Sequence, residues 1–274
     1  MEETEAQERF VRGMARAFAG ALLFSLPLLM TMEMWWLGFY LDRLRLFVFL
    51  VVALLLLVPL TYFFGFERTG GLFEDVVDTF VAFAIGAITS AAVLLVFGII
   101  GPGMPLNEII GKIAIQTVPA SFGAVLARGQ LGTDTSDAEH KQERAGYPGQ
   151  LFLMGAGAIY FAFNVAPTEE MMVIAFTMTA WHALGLVALS VAILHAFVFT
   201  VGFRGSHARA PGQGFASTFV SYSVVGYGIA LAISLGVLWV FGRTDGASLW
   251  QVAMMVTVLG FPASLGAAAA RLII

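Results

Sequence analysis

The chain of 274 residues is 59% hydrophobic and only 12% charged, with a mean hydropathy of +0.88 and a formal net charge of −4. A water-soluble domain carries about 25% charged residues, so a soluble enzyme, a nucleic-acid binder and a disordered regulator are excluded. Unbroken apolar runs such as Leu46 to Pro59 exclude the alternating pattern of a membrane β-barrel, and the lack of cysteine removes disulfides, thiolate metal sites and cysteine nucleophiles.

A bilayer-crossing helix needs about 20 mostly apolar residues. Cutting the chain at charges and Gly/Pro clusters predicts an all-α polytopic membrane protein with eight transmembrane helices. A cytoplasmic tail, 1–13, precedes a first span over 14–39 that holds Pro27, Thr31 and Glu33; it is too long and too interrupted for a cleavable signal. The second span is 46–66. Glu74, Asp75 and Asp78 open the third, 76–99, where acids favour a helix start. The turn 98–105 is rich in Gly and Pro but lacks a phosphate-loop pattern. The fourth span, 106–128, contains Pro119, and a polar cytoplasmic linker, 129–148, follows. The fifth, 149–178, carries Asn164, Pro167, Thr168, Glu169 and Glu170. His182 lies at a polar turn and His195 inside the sixth span, 183–203. The seventh is 215–242, and the eighth, 247–272, contains Pro262.

Two patterns organise these spans. Ten basic residues (Arg9, Arg12, Arg16, Arg68, Arg128, Lys141, Arg144, Arg204, Arg209 and Arg271) fall on one side, against Arg43, Arg45, Lys112 and Arg243 on the other. The positive-inside rule then predicts that both termini are cytoplasmic. The chain also resembles itself. Thr117-Val-Pro-Ala-Ser-Phe-Gly-Ala-Val-Leu-Ala-Arg128 reappears as Gly260-Phe-Pro-Ala-Ser-Leu-Gly-Ala-Ala-Ala-Ala-Arg271. Thr79-Phe-Val matches Thr218-Phe-Val, Val96-Phe-Gly98 matches Val240-Phe-Gly242, Gly65-Phe66 matches Gly202-Phe203, and Thr31-x-Glu33 matches Thr168-x-Glu170, all in the same order. The expectation is two four-helix repeats, 14–128 and 149–274, entering the membrane in the same direction.

Phe24-Ser-Leu-Pro-Leu-Leu-Met-Thr-Met-Glu-Met-Trp-Trp36 and Asn164-Val-Ala-Pro-Thr-Glu-Glu-Met171 resemble a family of bacterial integral membrane proteins of unknown function. The resemblance implies an inner-membrane location and brings no activity or site residues.

Ionisable groups inside a span cost about 2.5–3.5 kcal/mol on insertion scales and mark functional candidates. Glu33 and Glu170, aligned by the repeat, suit a hard cation or a shared proton facing both halves, with Glu169, Asn164, Thr31 and Thr168 assisting. Pro167 breaks an interior helix, and Pro-Thr-Glu-Glu reads as the start of a second half-helix, leaving carbonyls near Phe163 to Ala166 for a cation. The competing reading ends span five at Ala166, makes Pro167 to Glu170 an outer loop, and runs one long span from Met171 to Val201. His195 is a candidate proton relay or a group bonding a neighbouring carbonyl. Pro27, Pro119, Pro167 and Pro262 are candidate hinges, and Ser121, Gly123, Ser264 and Gly266 suit close helix packing or a dimer seam. A metal is left open, no cofactor is expected, and no enzyme signature is present. The leading expectation is a cation or proton channel or secondary transporter in contact with lipid, as a monomer or homo-oligomer. The alternative is a non-transporting sensor, scaffold or assembly factor; an intramembrane enzyme comes third.

Overall fold

The computed structural model describes residues 2–64, 71–131, 146–199 and 215–273. The matched pair Gly65-Phe66 and Gly202-Phe203, most of the polar linker, and Arg68, Lys141, Arg144, Arg204 and Arg209 lie outside the described residues, as do the side chains of Arg9, Arg128 and Arg271. The described residues are helical, with no strand among them. Seven helices are long and apolar enough to cross a membrane, and a bent pair, Tyr147–Val165 with Glu169–Thr177, makes an eighth if taken as one span.

The chain forms two compact units, Met1–Lys141 and Gln142–Ile274. Unit 1 contains α1 (Glu2–Leu29), α2 (Met32–Tyr40), α3 (Arg43–Phe64), α4 (Leu72–Val96) and α5 (Leu106–Leu131). Unit 2 contains α6 (Tyr147–Val165), α7 (Glu169–Thr177) and α8 (Ala180–Phe199). One helical run follows, made of α9 (Phe215–Thr218), a π-helical segment (Phe219–Val224) and α10 (Val225–Val240), and then α11 (Leu249–Ile273). Each unit thus runs long helix, nine-residue helix, then three long helical segments.

The last helix of each unit is its hub. α5 touches α1, α2, α3 and α4, and α11 touches α6, α7, α8 and α10. Within unit 1, 72% of the span Leu106–Ala127 is buried, against 28–39% for the other three spans. Small residues make the hub contacts possible. A Cβ on Gly123 would fall 2.5 Å from the Gly20 carbonyl oxygen and 2.6 Å from Phe24 Cβ; one on Gly266 would fall 2.8 Å from the Gly157 carbonyl carbon. Gly123 of α5 and Gly266 of α11 are therefore used inside their own units. α5 and α11 continue as helices through Pro119 and Pro262.

Sequence punctuation sets the helix ends. Asp42 Oδ1 accepts from the Leu44 and Arg45 amides at 3.0 and 3.1 Å and caps α3. Thr179 and His182 do the same at α8, with Thr179 Oγ1 2.9 Å from His182 Nδ1. The duplicated Val-Phe-Gly ends α4 and α10 with glycines at φ 71°, a left-handed cap that only glycine adopts without strain. The Ile99 amide then reaches Leu94 O, and the Arg243 amide reaches Leu238 O, both at 2.9 Å.

Two predicted spans differ from the structure. Span 14–39 is not one helix; it breaks at Met30 and Thr31. Span 149–178 is two helices bent by 93°, as the half-helix reading expects. The competing reading's end of span five at Ala166 agrees with α6, which stops at Val165. Its loop reaches only Pro167 and Thr168 because α7 starts at Glu169, and its long span from Met171 is interrupted at Met178 and Thr179. Both short helices end in an extended residue, Leu41 (ψ 134°) and Met178 (ψ 140°).

Candidate functional site

The candidate acids sit at the starts of the two short helices. In unit 1 the first carbonyls left open by the end of α1 are taken by protein donors. Thr31 Oγ1 donates to Pro27 O at 2.5 Å, the Thr31 amide to Leu28 O at 3.1 Å, and Trp35 Nε1 to Leu29 O at 2.7 Å. Gln116, buried on α5, adds its Nε2 to Leu28 O at 3.0 Å. Thr31 is the extended N-cap of α2 and Glu33 lies in the first turn, half-buried.

Unit 2 repeats the arrangement with different donors. Thr168 is the extended N-cap of α7, with Glu169 and Glu170 in its first turn. Its amide and hydroxyl both donate to Val165 O, at 3.1 and 2.8 Å. The Arg243 guanidinium donates to Pro167 O. Asn164 Nδ2 donates to Tyr160 O at 2.8 Å, one turn back in its own helix. Glu169 and Glu170 are exposed, and Met171 behind them is buried.

Neither threonine side chain caps its short helix forwards; each turns back to the helix before it. Glu33 and Glu170 lie in the first turns of α2 and α7, where an acid gains about 0.3–1 kcal/mol from the helix dipole. Thr-x-Glu is thus explained as helix punctuation in both units, whatever else the carboxylates do. The carbonyl expected to be open at Val165 is occupied by Thr168. Among the described residues no group of three His, Asp or Glu side chains gathers to hold a metal.

Both break regions carry a basic side chain, buried Lys112 in unit 1 and half-buried Arg243 in unit 2. Lys112 on α5, 8% exposed, lies 2.7 Å from Glu108 Oε1 and 3.4 Å from Ile99 O. It backs onto Gly38 of α2, where a Cβ would fall 2.9 Å from Lys112 Cγ. Lys112, Glu108, Gln116 and Arg243 carry more of this architecture than the charge count of the sequence assigns them. Gln116 was the legible one, a lone amide in the middle of an apolar span.

His195 is buried, with Nδ1 2.8 Å from Ser223 Oγ in the π-helical segment and its ring edge-on to Phe219 at 5.2 Å. Of the proline candidates, Pro167 lies in the break between α6 and α7, and Pro27 lies two residues before the end of α1.

Over residues 13–274 the chain matches the model of one family, described as "Putative integral membrane protein (DUF2391)". No curated protein and no solved structure matches it.

Proposed function

The chain belongs to this family of integral membrane proteins, and from that premise we propose that it is a channel or secondary transporter for a small cation or proton. In this reading the two units are four-span repeats that enter the membrane in the same direction. Both termini lie on the cytoplasmic side of the inner membrane, as the basic residues favour. Glu33 and Glu170 are the groups that bind or titrate, with Glu169, Asn164, Thr31 and Thr168 around them and His195 as a separate relay candidate. The observation that carries the proposal is the twofold occurrence of one device: a span broken before a threonine cap, with an acid in the first turn of a nine-residue helix. Broken spans with acids at the break are a recurring way to build an ion site in a membrane. No step in the proposal is enzymatic.

A second reading, a sensor, scaffold or assembly factor that transports nothing, is favoured by the exposure of Glu169 and Glu170 and by the protein donors on the break carbonyls. Flux decides between them. Purified protein in liposomes carrying a pH or K⁺ gradient is compared with Glu33→Gln, Glu170→Gln and the double variant. The transport reading expects wild-type flux that the double variant loses. Flux that survives both substitutions removes the glutamates from the mechanism, and no flux for any small cation leaves the second reading.

A further inference from the structure

Inside unit 1, three polar atoms buried between helices have no hydrogen-bond partner among the described residues: Thr89 Oγ1, Ser90 Oγ and Gln116 Oε1. Their residues are 4%, 0% and 0% exposed. Serine and threonine in a helix commonly donate to a carbonyl one turn back, as Ser25, Thr117 and Ser121 do in this unit at 2.5, 2.8 and 2.6 Å. Thr89 and Ser90 do not. Lipid chains offer no polar group in exchange.

The three groups share one level of one seam. α1, α4 and α5 each touch the other two. α4 and α5 are antiparallel neighbours, and Gly86 of α4 lies against Thr117 and Ser121 of α5. One turn further along α4, Thr89 and Ser90 come level with the α5 turn that holds Gln116. Gln116 itself points into the seam with α1, where its Nε2 meets Leu28 O.

We propose that this level of the α1–α4–α5 seam is a binding site for internal water. Two hydroxyls that donate or accept and one amide oxygen that accepts match the roughly three hydrogen bonds of a buried water. A metal cation fits less well, because the oxygens are neutral and Lys112 lies one turn away on α5. The carboxylate at that end, Glu108, is paired with Lys112. A buried carboxyl residue of the unit, Asp75, lies near the far end of α4, where Thr61 Oγ1 and Thr79 Oγ1 both donate to its backbone oxygen. The water level therefore lies one turn from Lys112, and the same unit also buries Thr117, Ser121, Thr79, Thr61 and Asp75. The water level lies inside one unit and is independent of the two glutamates.

Unit 2 supplies the contrast. Counting from Pro119 and Pro262, Gln116 corresponds to Leu259 and Lys112 to Met255, both fully buried apolar residues. Counting from Gly98 and Gly242, Thr89 corresponds to Ile233 and Ser90 to Ser234, whose hydroxyl donates to Ala230 O at 2.7 Å. The level that carries the three open oxygens in unit 1 is therefore apolar or internally satisfied in unit 2.

The test is water-edited solid-state NMR of the full chain in lipid bilayers, reading magnetisation transfer from water to the side chains of Thr89, Gln116 and Leu259. The proposal expects early transfer to Thr89 and Gln116, none to Leu259, and loss of the Thr89 signal in Gln116→Leu. Thr89→Val with Ser90→Ala serves if Gln116→Leu does not fold, and should dry Gln116. A dry Thr89 and Gln116 in the wild type, or a Leu259 as wet as they are, overturns it. So do Thr89 and Gln116 chemical shifts that move when Na⁺ is replaced by a bulky organic cation, since the occupant is then a metal ion. None of these readouts depends on flux, so a failure of the transport reading leaves the water site standing or falling by itself.

Discussion

Gly123→Ala is the sharpest probe of how the units hold together. The new Cβ would lie 2.5 Å from Gly20 O, 2.6 Å from Phe24 Cβ and 3.1 Å from the Gly20 carbonyl carbon. Ordinary contacts begin at about 3.4 Å, so α1 and α5 must separate locally by roughly 1 Å, and the nearest clashing atom is backbone that cannot rotate away. Overpacking of this kind costs about 1–3 kcal/mol, and a gap approaching 1 Å along the rest of the seam forfeits up to about half of each neighbouring atom pair's attraction. Against this stands a helix-propensity gain of about 1 kcal/mol for replacing glycine with alanine. The net expectation is destabilisation of about 0–2 kcal/mol from those two terms, moved to the upper half of that range by the lost contacts along the seam. Gly266→Ala should behave alike, because its Cβ meets the Gly157 backbone. At Gly185, Gly228 and Gly236 an added Cβ would have nothing within 4 Å, so alanine there should stabilise by about 0.5–1 kcal/mol. Reversible unfolding in mixed detergent micelles measures all five. If Gly123→Ala moves with the Gly185 and Gly236 variants, the close crossing of α1 and α5 is not what holds unit 1.

Two further outcomes follow from the helix ends. Arg243→Met removes the donor on Pro167 O and should lower stability by about 1.5–3 kcal/mol, the range for hydrogen bonds to a charged group, while speeding amide exchange at Glu169, Glu170 and Met171. Unchanged exchange there would show that the guanidinium does not hold the break. Asp42→Ala removes the cap on the Leu44 and Arg45 amides and should cost about 1 kcal/mol, most of which Asp42→Asn retains; thermal unfolding compares the two.

Much of this fold was legible because a bilayer imposes a length. α3, α4 and α5 fall on the predicted 46–66, 76–99 and 106–128 within a few residues. The break at Met30 and Thr31 was not legible, because Glu33 is the only charge between Leu28 and Trp36 and a short helix packed on α5 is as hydrophobic as a span. Pro27 stands near the break but forces nothing by itself, since α5 and α11 continue through Pro119 and Pro262. The π-helical segment left no sequence signal either. It rests on contacts from elsewhere in unit 2: Tyr147 donates to Ser221 O at 2.7 Å, and His195 lies against Ser223.

The matched stretches also change meaning once their geometry is known. Val-Phe-Gly is a left-handed helix cap, Thr-x-Glu a helix start, and the glycines after the two Pro-Ala-Ser stretches are close helix crossings. These are requirements of folding that each unit must meet separately, so likeness at such positions is a poor guide to chemistry. The informative positions are those where the units differ. Unit 1 buries Ser25, Thr89, Lys112 and Gln116 where the corresponding residues of unit 2 are Ala162, Ile233, Met255 and Leu259. Unit 2 buries His195 where unit 1 has Val58. A polar group buried among apolar helices carries a cost that folding alone gives no reason to keep. If the protein moves protons or ions, a route along unequal polar seams, each within its own unit, has support that is independent of the matched pair of glutamates.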